Sequence, residues 1–135
     1  MVYSVTAVAD ALLDTTFFID YHRGDEGARS LWLEIAGREL SASVSPITVF
    51  ELWVGSIGRT EELTYRAMLM PLDEAPLTAS AAEAAAVWLR DIRSDASEVL
   101  VRDAFIAATA MLRKEAIYTR NVSDFRRFYA NIRAY

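Results

Sequence analysis

The 135-residue chain carries 14 basic and 19 acidic residues, a net charge of −5, and it has no cysteine. The lack of cysteine excludes a disulfide framework and a thiolate metal site. The acidic balance argues against a nucleic-acid-binding module that depends on bulk positive charge. Length favours one domain, and no apolar run approaches the roughly 18 to 20 residues of a membrane span. The start of the sequence lacks the basic segment of a secretory signal, so we expect a cytoplasmic protein.

Short apolar strands alternate with helices along the chain. The sequence predicts a strand over 10–15, helices over 26–36, 45–58, 59–70, 78–93 and 99–114, a strand over 116–119, a short helix over 123–129 and an edge strand at the C-terminus. Ser45 and Pro46 begin the second of these helices, since serine caps a helix and proline is tolerated at its first position. The alternation is typical of an α/β fold with a parallel sheet between helices. No repeat or linker interrupts it, so residues 1–135 are expected to form one domain, with 1–9 as a short N-terminal extension.

Two carboxylates stand on apolar helix faces. Glu51 is the only charged residue between positions 44 and 58, and no charged residue follows Asp103 until Arg113. An isolated buried carboxylate costs several kcal/mol unless it is paired or binds a metal. An arginine partner is the alternative for Glu51, and a favourable place at the helix N-terminal dipole is the alternative for Asp103.

Two further acids lie where predicted strands end. Asp14 ends the first strand, where ligands bind in open α/β sheets, and Asp124 follows the strand over 116–119. Each also fits the alternative role of capping the helix beside it. Asp20 falls past the first strand and is expected to be a surface or capping acid. In combination, the other acids predict an acidic pocket at one end of the sheet.

A pocket of crowded carboxylates must take up protons or bind a cation. Oxygen ligands without histidine or cysteine clusters favour Mg²⁺ or Mn²⁺, and these ions activate water in phosphoryl transfer. His22 is the only histidine, and the chain has no glycine-rich phosphate loop. Phosphodiester hydrolysis is therefore predicted. A metal-dependent phosphatase is the alternative, although Thr16 stands where aspartyl-phosphate enzymes commonly have a second acid.

Four segments, LLDTTFFIDY, SPITVFELWVG, RDAFIAATAML and YTRNVSDF, together resemble the PIN-domain family, and most closely the VapC toxins of prokaryotic VapBC toxin–antitoxin pairs. The third segment is the most specific. The resemblance implies a PIN-like three-layer fold, with a mainly parallel, short-stranded sheet flanked by helices, and a Mg²⁺- or Mn²⁺-dependent endoribonuclease. A PIN fold that binds RNA or protein without catalysis is the alternative from another functional class.

Site residues follow from the resemblance position by position. Asp14, Glu51 and Asp103 match the three principal acids of the family, and Asp124 matches a fourth, more variable one. The resemblance implies that Asp14 and Asp103 bind one ion directly, with Glu51 bound directly or through water. Water then attacks RNA phosphorus and leaves a 5′-phosphate. The remaining candidates are the supporting residues Thr119, Asn121 and Thr15 and the possible RNA phosphate contacts Arg23, Arg120 and Arg126, arginines that also fit a solvated surface.

Partners are likewise implied by the resemblance. VapC-like proteins usually form homodimers and are held inactive by a cognate VapB-like antitoxin, often with an antitoxin arginine reaching the acids. The apolar helices over 45–70 include Trp53, Val54 and Ile57. They provide either a surface for these partners or ordinary core packing.

Overall fold

The computed structural model describes residues 8–56, 58–92 and 98–135. The strands there are β1 (Ala11–Leu13), β2 (Ala42–Val44), β3 (Asp73–Glu74), β4 (Ala116–Tyr118) and β5 (Ile132–Arg133). The helices there are α1 (Thr15–Arg23), α2 (Glu26–Ala36), α3 (Pro46–Gly55), α4 (Arg59–Leu69), α5 (Ala79–Ile92), α6 (Glu98–Arg113) and α7 (Val122–Arg126).

The five strands form one sheet in the order β3-β2-β1-β4-β5, and every neighbouring pair is parallel. Ala11 of the central strand β1 lies opposite Ala42 on one side and Ala116 on the other. Since all strands run the same way, their carboxyl ends share one edge of the sheet.

Helices cover both faces of the sheet because successive strand side chains point to opposite faces. Leu13 packs into a core with Phe17 and Leu52, from α1 and α3. Leu12 packs on the opposite face with Ala107 of α6. This architecture confirms the predicted α/β class with a parallel sheet between helices.

Most predicted helices are confirmed to within a few residues. Helix α2 has the predicted bounds, and α3 begins as expected: Pro46 is at its first position, and the Ser45 hydroxyl accepts a hydrogen bond from the Ile47 N–H over 3.1 Å. The predicted strand over 10–15 was too long, because α1 begins at Thr15. The predicted helix over 123–129 is the shorter α7. Strands β2 and β3 were not predicted.

The amino ends of the strands hold a buried carboxylate that the sequence analysis did not single out. Glu115 is 0% exposed, and Arg113 binds it through Nε at 2.9 Å and Nη2 at 3.1 Å. The Ser43 hydroxyl donates to it over 2.9 Å, and the Ala9 N–H over 2.7 Å. Of the predicted extension, residues 1–7 lie outside the described residues, and the single-domain expectation for 1–135 stays a prediction.

None of the helices in the described part of the chain is long and apolar enough to cross a membrane.

Candidate active site

Three polar residues directly follow three neighbouring strands. Asp14 follows β1, Ser45 follows β2 and Thr119 follows β4, and the register pairs Leu13 with both Val44 and Tyr118. The side chains at the carboxyl edge therefore lie next to one another. Asp14 is at the centre of this row and is only 5% exposed.

One carboxylate oxygen of Asp14 is held by two threonines. The hydroxyls of Thr119 and Thr16 donate to its Oδ2 over 2.9 and 3.0 Å. Asp14 occupies the N-cap position of α1, but its side chain makes no capping hydrogen bond. Its carboxylate is thus directed by the threonine hydroxyls. The capping alternative required a side-chain hydrogen bond to the end of the helix, and the structure has no such bond.

Glu51 lies across from Asp14 on α3. The Thr15 hydroxyl is 2.8 Å from its Oε1 and 3.1 Å from the Thr48 hydroxyl. The other carboxylate oxygen of Glu51 forms an ion pair with Arg102 of α6. The arginine partner named as an alternative for Glu51 is therefore present, and Thr15 orients the same carboxylate from the other side.

Asp103 is the sixth residue of α6. The helix dipole acts mainly within the first turn, and Asp103 lies beyond that turn. Burial raises the pKa of Asp103 to about 7, and the negative charges of Asp14 and Asp124 add to this effect. Arg102 and Arg127 act in the opposite direction. Asp103 thus shares its surroundings with two other acids.

The pKa of Asp14 is also raised, chiefly by burial. Hydrogen bonds from the Thr119 side chain, the Thr15 backbone and the Thr16 side chain oppose this rise, and the charge of Glu51 adds to it. The electrostatic couplings connect Asp14 with Glu51 and with Asp103. The structure therefore brings the three principal predicted acids into one neighbourhood.

Asp124 and Asn121 border this neighbourhood at the start of α7. Asp124 is in the first turn of α7, its Oδ1 is 3.5 Å from Arg127 Nη2, and the N-cap residue is Asn121. The Asn121 N–H donates to the Thr119 hydroxyl over 2.9 Å. Asp124 therefore acts on Asp103 through its charge, and Asn121 supports the threonine that holds Asp14.

The donor set suits a hard divalent cation in type. All four acids offer carboxylate oxygens, and two of them have pKa values raised in part by other acids of the set. However, no three acidic or histidine side chains within residues 8–56, 58–92 and 98–135 are grouped closely enough to hold a metal ion. Glu51 and Asp124 are each paired with an arginine. The residues fit Mg²⁺ or Mn²⁺ chemically, and coordination would require side-chain movement.

The predicted rim arginines differ in where they lie. Arg126 is exposed on α7, the helix that also carries Asp124. Arg120 follows Thr119 and remains 52% exposed although it binds Asp20. Arg23 is the last residue of α1, roughly 12 Å along the helix axis from its start, so the structure does not bring it to Asp14.

Asp20 was wrongly expected to be a surface or capping acid. It is 5% exposed, within α1, and accepts hydrogen bonds from Arg120 Nη1 at 2.5 Å and the Tyr135 hydroxyl at 2.6 Å. These partners are 100 and 115 positions away. Separation of this length leaves no local sequence signal.

Fold and site together define an α/β protein with an acid-rich site at the carboxyl edge of a parallel sheet. The family model of the PIN domain matches residues 11–131. The chain therefore belongs to the PIN-domain family, which confirms the predicted resemblance. PIN domains form a family of nucleases. A comparison with curated proteins finds no match.

Solved structures give the same fold. A toxin–antitoxin complex from Klebsiella pneumoniae is similar at 27% identity over 85% of this chain and 89% of that one, with a TM-score of 0.66. VapBC2 from Rickettsia felis, bound to promoter DNA, is similar at 15% identity over 92% and 97%, with a TM-score of 0.75. DNA-bound VapBC from Salmonella typhimurium is similar at 21% identity over 93% and 96%, with a TM-score of 0.69. The last two identities support the fold alone.

Proposed function

We propose that this chain is a Mg²⁺- or Mn²⁺-dependent endoribonuclease and the toxin of a type II toxin–antitoxin pair. One observation carries the proposal: in a PIN-family chain, Asp14, Glu51 and Asp103 form an electrostatically coupled group at the carboxyl edge of the sheet. Burying several acids close together costs folding free energy unless a cation neutralises them. Such clusters are typical of functional sites.

The chain's own residues divide the work. Asp14, Asp103 and Glu51 would hold the ion, while Asp124 would support a second ion or orient a water. A bound ion of this type lowers the pKa of water and neutralises charge that develops on a phosphate. Thr16 and Thr119 direct one carboxylate and Thr15 another, and hydrogen bonds of this kind behind a ligand orient it.

Asp103 must give up a proton for this role. Its pKa of about 7 means that a large fraction is protonated at neutral pH, and cation binding requires the carboxylate. Binding should therefore release protons and strengthen as pH rises from 6 to 8. Arg120 and Arg126, at the rim, would contact flanking RNA phosphates.

The partners proposed are a second copy of the chain and a VapB-like antitoxin. The three solved neighbours are toxin–antitoxin complexes. Phe50 and Val54 on α3 are each 69% exposed, next to the partly buried Trp53, while Ile57 lies outside the described residues. Apolar exposure on the helix that carries Glu51 fits a partner that covers the site. Co-purification with the antitoxin and size measurement with and without it test this.

The test of activity is an assay of the purified protein on total RNA with Mg²⁺, Mn²⁺ or EDTA, followed by mapping of the cut ends. We expect metal-dependent cleavage that leaves 5′-phosphates. Asp14→Asn should lower the rate at least about 100-fold, the scale on which one preorganised group acts at a transition state. Asp10→Asn is the matched control, because Asp10 precedes the same strand at the opposite end and bonds Ser41. Equal rates in wild type and Asp14→Asn would remove Asp14 from the mechanism.

A binding module without catalysis is the second candidate, favoured by the ion pair between Glu51 and Arg102. Titration with Mn²⁺ separates the two functions, since an inactive module that keeps this pair should not bind the ion. Turnover of p-nitrophenyl phosphate without RNA cleavage would instead support a small-phosphoester phosphatase.

A further inference from the structure

Three residues that are far apart in the sequence meet beside the acid site. Asp20 of α1 receives one hydrogen bond per carboxylate oxygen, from Arg120 Nη1 to Oδ1 at 2.5 Å and from the Tyr135 hydroxyl to Oδ2 at 2.6 Å. Asp20 is buried, whereas the Arg120 side chain is 52% exposed. An ion pair half open to water contributes little stability, so a second, partly buried donor from a third segment points to a geometric role.

Tyr135 is itself held firmly in place. Its ring packs edge-on against Phe17, with centroids 5.6 Å apart. A Cβ built on Gly27 would approach the Tyr135 main-chain carbonyl to 2.7 Å, so the tail rests where only glycine leaves room. The Tyr135 hydroxyl has one proton to donate. It donates this proton in a hydrogen bond to Asp20 at 2.6 Å, which is shorter than its 3.4 Å contact with Thr16.

The trio connects to Asp14 through two threonines. The Arg120 N–H donates to the Thr16 hydroxyl over 3.3 Å, and Thr16 donates to Asp14 Oδ2. Thr119, the neighbour of Arg120, donates to the same oxygen. Asp20 thus joins α1 to the segment after β4 at the point where both threonines must reach one carboxylate oxygen.

We propose that Asp20, Arg120 and Tyr135 are positioning residues of the site: together they fix α1 against the end of β4, so that Thr16 and Thr119 direct Asp14. The inference rests on the proposed function in treating Asp14 as a cation ligand. Hydrogen bonds behind a ligand commonly change metal affinity by about 10- to 100-fold when removed.

Tyr135→Phe is the sharpest variant, since it keeps the ring contact and removes one hydroxyl. Tyr129→Phe is its matched control: the Tyr129 hydroxyl donates to the Glu115 carbonyl over 3.1 Å, at the other end of the sheet. We expect Tyr135→Phe to weaken Mn²⁺ binding about tenfold, measured by calorimetry on folded protein. Tyr129→Phe should leave Mn²⁺ affinity unchanged. The RNase rate constant kcat should fall in Tyr135→Phe with little change in KM.

A second readout does not depend on metal. Hydrogen exchange of the Arg120 amide, which bonds Thr16, should quicken in Tyr135→Phe and stay constant in Tyr129→Phe. If the wild type binds no Mn²⁺, the proposed function fails while amide exchange still decides the positioning role. If Arg120 exchange and, where binding occurs, Mn²⁺ affinity match the wild type, the inference is overturned.

Gly27→Ala provides an independent route to the same result. The added methyl must displace the Tyr135 main chain, whereas Gly55→Ala meets nothing within 4 Å. Faster Arg120 exchange in Gly27→Ala, but not in Gly55→Ala, would support the proposal even if Tyr135→Phe were poorly folded. Unchanged Arg120 exchange after displacement of Tyr135 would contradict it.

Discussion

The two ends of the sheet treat buried carboxylates in opposite ways. At the amino ends, Glu115 is fully buried, yet an arginine fork, a hydroxyl and a backbone N–H all donate to it. At the carboxyl ends, Asp14 and Asp103 lie near other acids, and their pKa values are raised. The first end has the features of a structural ion pair. The second end has the features of a functional site, because its negative charges lie close to one another and call for a bound positive charge.

The difference shows that burial alone does not identify function. Glu115 is more buried than Asp103, but the donors around it meet its hydrogen-bonding needs. Asp103 differs in that burial and two negative neighbours, Asp14 and Asp124, raise its pKa against the opposing charges of Arg102 and Arg127. Substitutions at the two ends should therefore change stability in opposite directions.

The largest expected effect is at the amino end. Glu115→Gln removes the charge that faces Arg113 in a buried pair and should lower the free energy of unfolding by about 3–5 kcal/mol. Urea unfolding measures this change. RNA cleavage per folded molecule should stay near the wild-type value. Loss of cleavage without loss of stability would show that the two ends are not separate in function.

At the carboxyl end, Asp103→Asn should stabilise the EDTA-treated protein. The pKa of Asp103 rises from 3.8 to about 7 on folding, so between pH 4 and 7 the folded chain binds more protons than the unfolded chain. The wild-type free energy of unfolding should thus fall as pH rises through this range. At pH 8, Asp103→Asn should be more stable than wild type by at least about 1 kcal/mol. Thermal unfolding of wild type and Asp103→Asn at pH 5 and 8 measures the pH dependence and the stability difference. Identical pH dependence in the two proteins would refute the raised pKa of Asp103.

The smallest expected effect concerns the ion pair of Glu51. Arg102→Met keeps the stem of the side chain and removes the charge that competes with a cation for Glu51. The Arg102 side chain is 41% exposed and that of Glu51 is 16% exposed, and a partly exposed pair is worth about 1 kcal/mol, so Mn²⁺ affinity should rise about two- to fivefold. Arg90→Met, on the exposed part of α5, is the control. Weaker binding in Arg102→Met would show that Arg102 supports the ligand.

Much of the fold could be predicted from the sequence because its helices are long enough to carry a periodic pattern. Helix α2 and the Ser45-Pro46 start of α3 are local features, and local rules identified them. Strands β1 and β4 are short but consist of apolar residues, ALL and AIY, whereas β2, ASV, has a serine at its centre and β3 has only two residues. Asp73–Glu74 is also charged, and it becomes a strand only because β2 offers it a parallel partner.

The site could be predicted where an acid stands among apolar residues in the sequence. Glu51 and Asp103 are charged residues on apolar faces, and the structure brings both near Asp14. Asp20 escaped the same reasoning because its partners Arg120 and Tyr135 come from 100 and 115 positions away. Glu115 escaped it because it follows two charged residues, Arg113 and Lys114, so it does not stand out in an apolar run. The pairing of Glu51 with Arg102 was anticipated only as an alternative.

The placement of β1 between β2 and β4 has a consequence for the order in which the molecule is made. Ribosomal synthesis proceeds from the N-terminus, and β1 can pair with β2 once about 44 residues are free, but its pairing with β4 waits for residue 118. Thr119, which directs Asp14, follows that strand. A nascent chain therefore carries Asp14 with only one of the two threonines that direct it, Thr16, until Thr119 has been made. The site can therefore be assembled only after synthesis has passed residue 119.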